Sequence, residues 1–275
     1  GEKYNEMNYF LHSLEENQGY FRIYAPFDSV YWYMSLNSNL KYNFSDVKTY
    51  DSTYQFANDD LLKITPLDRG LGWSWNITQK DLIDYSSVKY AIVTFAEELP
   101  HDEFKLVGNF RGLEVYRNQN FQAIARTQNN VMSYNEYQRI NNPALINKYI
   151  IVDEKDKATI DNYLEEGEIV SITNEVMYQN MMIGEFDTNH NSFVVTSIAY
   201  DAGWRVYIND VQIEEIFKVN GGFVGFKLPA GTNQVKLYFV PQGFKEGFIV
   251  SSFGALLLLA LIIVEVRKNR NSKNV

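Results

Sequence analysis

His12, His101 and His190 are the side chains best suited to proton transfer at neutral pH, and they stand far apart in the chain. None is set in an HExxH-like pair, so zinc chemistry is not expected. Cysteine is absent, which removes thiol catalysis, disulfides and Cys-based metal sites. The carboxylate pairs Asp59-Asp60, Glu97-Glu98 and Glu214-Glu215 could act as acid and base only if the fold made them converge. Neighbours on a strand point to opposite faces, so Glu214-Glu215 reads as a solvated pair. Asp153, Glu154 and Asp156 look like the start of a calcium loop but lack its glycine and distal glutamate. Gly221-Gly222 suits a hairpin rather than a phosphate cradle, and no nucleophile elbow is present. The residues assign no catalytic side chain and no metal site.

Binding chemistry is better represented. Tyr, Phe and Trp make up 15% of the chain, which fits either sugar stacking or a drift toward Asn, Lys, Ile and Tyr. Trp73 and Trp75 stand two apart, on one face of an extended segment, and either can face sugar or a membrane surface or be buried in core or interface. Trp204 follows Gly203 at a strand start; we read it first as a core anchor and second as a sugar platform.

These groups are held by a chain with one dominant feature. Phe248–Val264 reads FIVSSFGALLLLALIIV, and Arg267, Lys268, Arg270 and Lys273 follow at once. With Glu265 and Val266, about 19 residues at 1.5 Å rise span roughly 28 Å, enough to cross a bilayer core. Basic residues crowded at one end mark the cytoplasmic side, which puts the preceding 247 residues outside. Ser251 and Ala255 form a small-xxx-small face of the kind that packs on a second membrane helix. A large outer region needs a signal peptide or an earlier span, so one of these is expected upstream of Gly1. Before Glu265 the chain holds 33 acidic and 21 basic residues, which argues against nucleic acid as a partner.

Three stretches precede the span. Residues 1–130 mix helix and strand: a helix over Glu6–Glu16 stopped by Gly19, a strand over Tyr20–Tyr24, and a short helix holding Leu82 and Ile83 after an N-cap at Thr78. Strands follow over Val88–Phe95, Phe104–Val107, Leu113–Tyr116 and Phe121–Ala125. Residues 131–167 read as a helical connector. There Ser133 and Glu136 form a capping-box pair, and Asp153 opens a helix running to Glu166, with Gly167 as its stop. Residues 168–243 read as an antiparallel β-sandwich, with strands over Phe193–Tyr200, Trp204–Asn209, Val211–Lys218, Phe223–Leu228 and Gln234–Val240. Asn209-Asp210 suits a tight hairpin turn. The expected class is α+β: a mixed α/β region, a sandwich, a transmembrane helix over 244–266 and a basic tail over 267–275.

The third stretch carries a family resemblance. Tyr200-Asp-Ala-Gly-Trp204, Lys218-Val-Asn-Gly-Gly-Phe223, Leu228-Pro-Ala-Gly231 and Tyr238-Phe-Val-Pro-Gln-Gly243 resemble, in order, the C-terminal end of YfhO-family bacterial membrane proteins. Tyr20-Phe-Arg22-Ile, Tyr50-Asp-Ser52, Leu82–Ile92 and Val115-Tyr-Arg-Asn118 are similar to segments of the same family. Asp210-Val departs from its usual Asp-Gly turn, and Gln234 stands near where a His is common.

The resemblance implies a polytopic protein of the GT-C glycosyltransferase type in a bacterial cell membrane. Such a protein moves sugar from a polyprenyl-phosphate-linked donor to a cell-surface polymer such as teichoic acid. The catalytic carboxylate would lie upstream of this chain, which would be the C-terminal ectodomain and last helix. Its partners would be the membrane, the upstream transmembrane domain and a cell-wall glycopolymer, and it would hold no cofactor of its own. Arg22 and Lys89, within the family-like segments, would contact an anionic donor or polymer, or else form structural salt bridges. The alternative is a stand-alone, membrane-anchored glycan-binding or docking module without catalysis.

Overall fold

A computed structural model of the 275-residue chain describes residues 9–14, 19–25, 68–69, 75–76, 80–94, 96, 99–178 and 180–272. A helical turn at 9–13 leads to β1 (Arg22–Tyr24); β2 (Asp68–Arg69) and β3 (Trp75–Asn76) form a small antiparallel pair. Next come α1 (Lys80–Tyr85), β4 (Val88–Val93), β5 (Phe104–Phe110) and β6 (Leu113–Asn118). The four strands form a sheet in the order β1-β4-β6-β5, with β1 parallel to β4 and the rest antiparallel. All six residues of β4 are buried because both faces are covered. Tyr90 and Ile92 pack with Leu11 and Ile23 on one side; Ala91 and Val93 pack with Ile83, Phe104 and Tyr116 on the other. That double burial explains why VKYAIV has no polar alternation.

β7 (Ala125–Gln128) and β8 (Val131–Ser133) lead to α2 (Tyr134–Ile140), a 3₁₀ turn at Pro143–Asn147, β9 (Ile150–Val152) and α3 (Glu154–Asp161). Ser133 and Glu136 close the expected capping box: Ser133 Oγ accepts from Glu136 N and Glu136 Oε2 accepts from Ser133 N. The connector is not purely helical, since β8 and β9 pair in parallel. α3 ends at Asp161, short of the expected Glu166, and the Asp153 side chain makes no capping bond. The reason is tertiary. Glu165 N donates to Asn191 O, and Glu165 Oε2 accepts from Asn191 N, drawing the chain off the helical path. Gly167 then lies so close to the His190 ring that a Cβ there would stand 2.1 Å from it.

β10 (Thr173–Met177), β11 (Met181–Thr188), β12 (Ser192–Ala199), β13 (Trp204–Ile208), β14 (Val211–Ile213), β15 (Phe217–Val219), β16 (Phe223–Leu228) and β17 (Gly231–Phe239) build the sandwich. Its outer sheet runs β10-β11-β17-β13-β14, and its inner sheet β15-β16-β12-β7. Between them Met182, Phe186, Val206, Val235 and Leu237 meet Val194, Ile198, Val224, Phe226 and Leu228. Expected as one strand, Val211–Lys218 splits into β14 and β15, because the chain changes sheets over residues 214–216. The pair Glu214-Glu215 sits at that corner, and Glu215 Oε2 accepts from Lys227 Nζ at 2.7 Å. β7, which falls in the first stretch by sequence, is an edge strand of the inner sheet, paired with β12.

The inner sheet is covered on its second face too. Phe193, Val195, Phe217 and Val219 pack there on Ile150, Val152 and Ile160. The fold is α+β: a mixed N-terminal sheet, a sandwich backed by short helices, and a final helix, α4 (Phe244–Ser272).

Candidate functional site

Arg22 sits on β1 beside Val88. Its Nη1 donates to Ser86 O and Ser197 Oγ, both at 2.7 Å, and its Nη2 donates to Ser197 O at 3.0 Å. The guanidinium also lies 5.5 Å from the Tyr20 ring centroid. These bonds tie the N-terminal sheet to β12 of the sandwich. Lys89 is 4% exposed on β4, with its ammonium 5.3 Å from the Phe121 ring centroid and 5.9 Å from those of Phe21 and Tyr90. Both cations face protein groups rather than an open surface.

Trp73 lies outside the described residues. Trp75 is placed by the backbone pairing of β3 with Arg69 of β2. Trp204 packs against the sandwich core, with its ring centroid 5.1 Å from that of Phe239 and its Nε1 donating to Ala199 O at 3.0 Å. Gly203 precedes it because a Cβ there would meet Val240 O at 2.5 Å. The structure therefore sets Trp204 as an anchor at the end of the sandwich nearest α4. Among the described side chains singled out by sequence, Arg22, Lys89 and Trp204 make separate sets of contacts.

Two other clusters emerge only from the fold. His101 Nε2 faces Asp84 Oδ1 at 3.3 Å, with both side chains buried. The same Asp84 oxygen accepts from Asn118 Nδ2 at 2.8 Å, and Asp84 Oδ2 accepts from Asn120 Nδ2 at 3.4 Å. Glu103 N donates to His101 Nδ1, which leaves Nε2 as the ring nitrogen on the Asp84 side. Asn120 Nδ2 also donates to Glu103 Oε2, which pairs with Lys80 at 2.8 Å. A His–Asp pair activates a nucleophile only if the second ring nitrogen faces one. Here that nitrogen faces a backbone N–H, so the network is arranged for structure. Asp84 and His101 are separated by β4 and a loop, and no motif links them.

The second cluster lies where β7 meets α1. The Arg126 guanidinium sits 4.6 Å from the Tyr85 ring centroid, and Tyr85 Oη donates to Thr196 O at 2.8 Å. Burial pushes the Tyr85 phenol up to about 12, with the Arg126 charge pulling it the other way. Burial lowers the Arg126 guanidinium to about 10. Among the described residues, no group of three or more His, Asp or Glu side chains is arranged to hold a metal ion.

α4 decides the setting. Its segment Phe244–Glu265 is 22 residues of apolar helix with none of it buried in the protein. At 1.5 Å per residue it covers about 33 Å, the thickness of a bilayer core. Residues 151–251 match the family model described as bacterial membrane protein YfhO.

This stretch is similar to the YfhO family.

A relative in Bacillus subtilis (strain 168), the uncharacterized protein YfhO, is 29% identical over 90 residues. That alignment takes in 33% of this chain and 10% of the relative, so the chain spans a small part of the relative's length. No solved structure matches the chain. The YfhO region covers α3, β10 to β17 and the first turns of α4. Within the matched segment the Asn209-Asp210 turn is completed without glycine: both residues adopt positive φ, 51° and 64°, as a type I′ hairpin requires.

Proposed function

We propose that this chain is the C-terminal extracytoplasmic region and last membrane helix of a polytopic, GT-C-like glycosyltransferase. That protein takes sugar from a polyprenyl-phosphate donor and places it on a cell-surface polymer such as teichoic acid. The observation that carries this reading is the continuity of the sandwich, which the YfhO model matches over residues 151–251, with a membrane-length helix over Phe244–Glu265. On this reading residues 1–247 lie outside the bacterial cell membrane and the basic tail lies inside. The catalytic part lies upstream, and the folded body shapes access of donor or acceptor to it. Trp73 and Trp75 are the side chains we propose for sugar contact.

The test is genetic and chemical. Deleting the gene that encodes the intact protein should remove a sugar from a surface glycopolymer, measured by mass spectrometry of purified teichoic acids. Restoring the intact gene should return the sugar, whereas residues 1–275 alone should not. Unchanged glycosylation in the deletion strain would overturn the proposal.

A further inference from the structure

β17 ends at Phe239, and α4 begins at Phe244, with Phe244 N donating to Pro241 O in the turn between them. Five residue steps reach at most about 17 Å, so the end of β17 must lie near the membrane surface. The sheet register shows what else lies there. Tyr238 pairs with Met181 of β11 and with Arg205 of β13, while Phe239 N donates to Asn180 O in the β10–β11 turn.

Polarity changes steadily along the outer face of this sheet. At the far end of β11 and β17 that face carries Asp187 and Glu185 opposite Thr232 and Gln234. Toward α4 the same rows become Ile183 and Met181 opposite Lys236 and Tyr238. Tyr178 is 52% exposed, Val176 48% and Tyr238 37%. Arg205 adds a cation at this level, held by Nη1 bonds to Ala202 O and Trp204 O, both 2.8 Å.

Tyrosine rings with an apolar body and a polar tip, set beside an arginine, match the boundary between acyl chains and headgroup phosphates. Carboxylates at the opposite end keep clear of that layer. We propose that the α4-proximal end of the outer sheet, at Tyr178, Met181, Arg205 and Tyr238, rests in the phospholipid headgroup layer. The Trp204–Phe239 ring pair behind it makes this end rigid, so the contact fixes the tilt of the sandwich on the membrane. The proposal requires that α4 cross a bilayer and is independent of any sugar transfer.

The absence of cysteine makes single-site labelling possible. The full 275-residue chain would be placed in nanodiscs of phosphatidylcholine and phosphatidylglycerol, with a spin label at Asn180→Cys or, as the distant control, Ala230→Cys. β17 separates the two sites by about 27 Å. The label at 180 should collide with a water-soluble nickel chelate several-fold less often than the label at 230. Tyr178→Ser with Tyr238→Ser in the Asn180→Cys background should raise that collision rate toward the control, with the Ala230→Cys readout reporting an intact fold. Equal chelate access at 180 and 230 would overturn the proposal. Low access at 180 that survives loss of both tyrosines would also overturn it, since the tether alone would then account for the position.

Discussion

Arg22 Nη1 donates to Ser197 Oγ at 2.7 Å across 175 positions of sequence. One guanidinium thus joins the N-terminal sheet to the inner sheet of the sandwich, and it also satisfies the carbonyl oxygens of Ser86 and Ser197. A rigid fork is needed to reach all three acceptors.

Arg22→Ala should destabilise the fold by about 2–3 kcal/mol, because two carbonyls lose a charged donor. Arg22→Lys should recover only part of the loss, since an ammonium cannot span the same geometry. Urea unfolding of the chain in detergent, followed by tryptophan fluorescence, measures both. A neutral effect of Arg22→Ala on unfolding would contradict the clasp.

Tyr85 supplies a pH signature. Its folded-state pKa is about 12, raised first by burial, against an ordinary value near 10. A group raised in this way contributes stability that is complete below pH 10 and fades as pH rises through 12. Tyr85→Phe should cost about 1–2 kcal/mol at pH 8 by removing the donor to Thr196 O. The difference between the two proteins should move by about 2 kcal/mol against the tyrosine between pH 10 and 12, closing the gap or reversing it. Tyr85→Phe also removes the charge interaction with Arg126, so the comparison reports the pair. Unfolding curves at stepped pH read the result; a constant gap would contradict the buried phenol.

Gly203→Ala should destabilise the sandwich by about 1–3 kcal/mol through overpacking. The added methyl would meet Val240 O and the Phe239 ring, at 2.5 and 2.6 Å. Thermal unfolding, with near-ultraviolet dichroism reporting the Trp204–Phe239 pair, is the measurement; an unchanged midpoint and spectrum would contradict the close approach.

Asp210→Gly should stabilise the protein by about 0.5–1 kcal/mol by relieving a positive φ. The ion pair it removes, Lys236 Nζ to Asp210 Oδ1 at 3.6 Å, is exposed and worth little. A loss of stability in urea unfolding would show that the aspartate does more than shape the turn.

Much of the local structure was legible in the residues. Ser133 and Glu136 stand three apart before a helix and close a capping box; Asn209-Asp210 occupies a tight hairpin; the apolar run before Arg267 is helical throughout. These features depend on neighbours within a few residues. The features that local sequence does not encode depend on distant ones. α3 stops at Asp161 because Glu165 bonds to Asn191, and β14 gives way to β15 because the chain turns a sandwich corner. His101 and Asp84 meet only after the N-terminal sheet has formed, so isolated histidines in the sequence conceal a paired one. Trp204 has the residue type of a sugar platform, yet Phe239, 35 positions later, decides where its ring lies.

The central claim is that this chain completes a membrane sugar transferase whose chemistry lies elsewhere in the protein. The most direct measurement is transfer of radiolabelled sugar in proteoliposomes from a polyprenyl-phosphate donor to teichoic acid. The intact protein and the 275-residue chain would be assayed side by side. The account predicts transfer by the intact protein, none by the chain alone, and retained transfer when Asp84→Asn is introduced into the intact protein. Transfer by the chain alone, or abolished turnover in a folded Asp84→Asn protein, would contradict it.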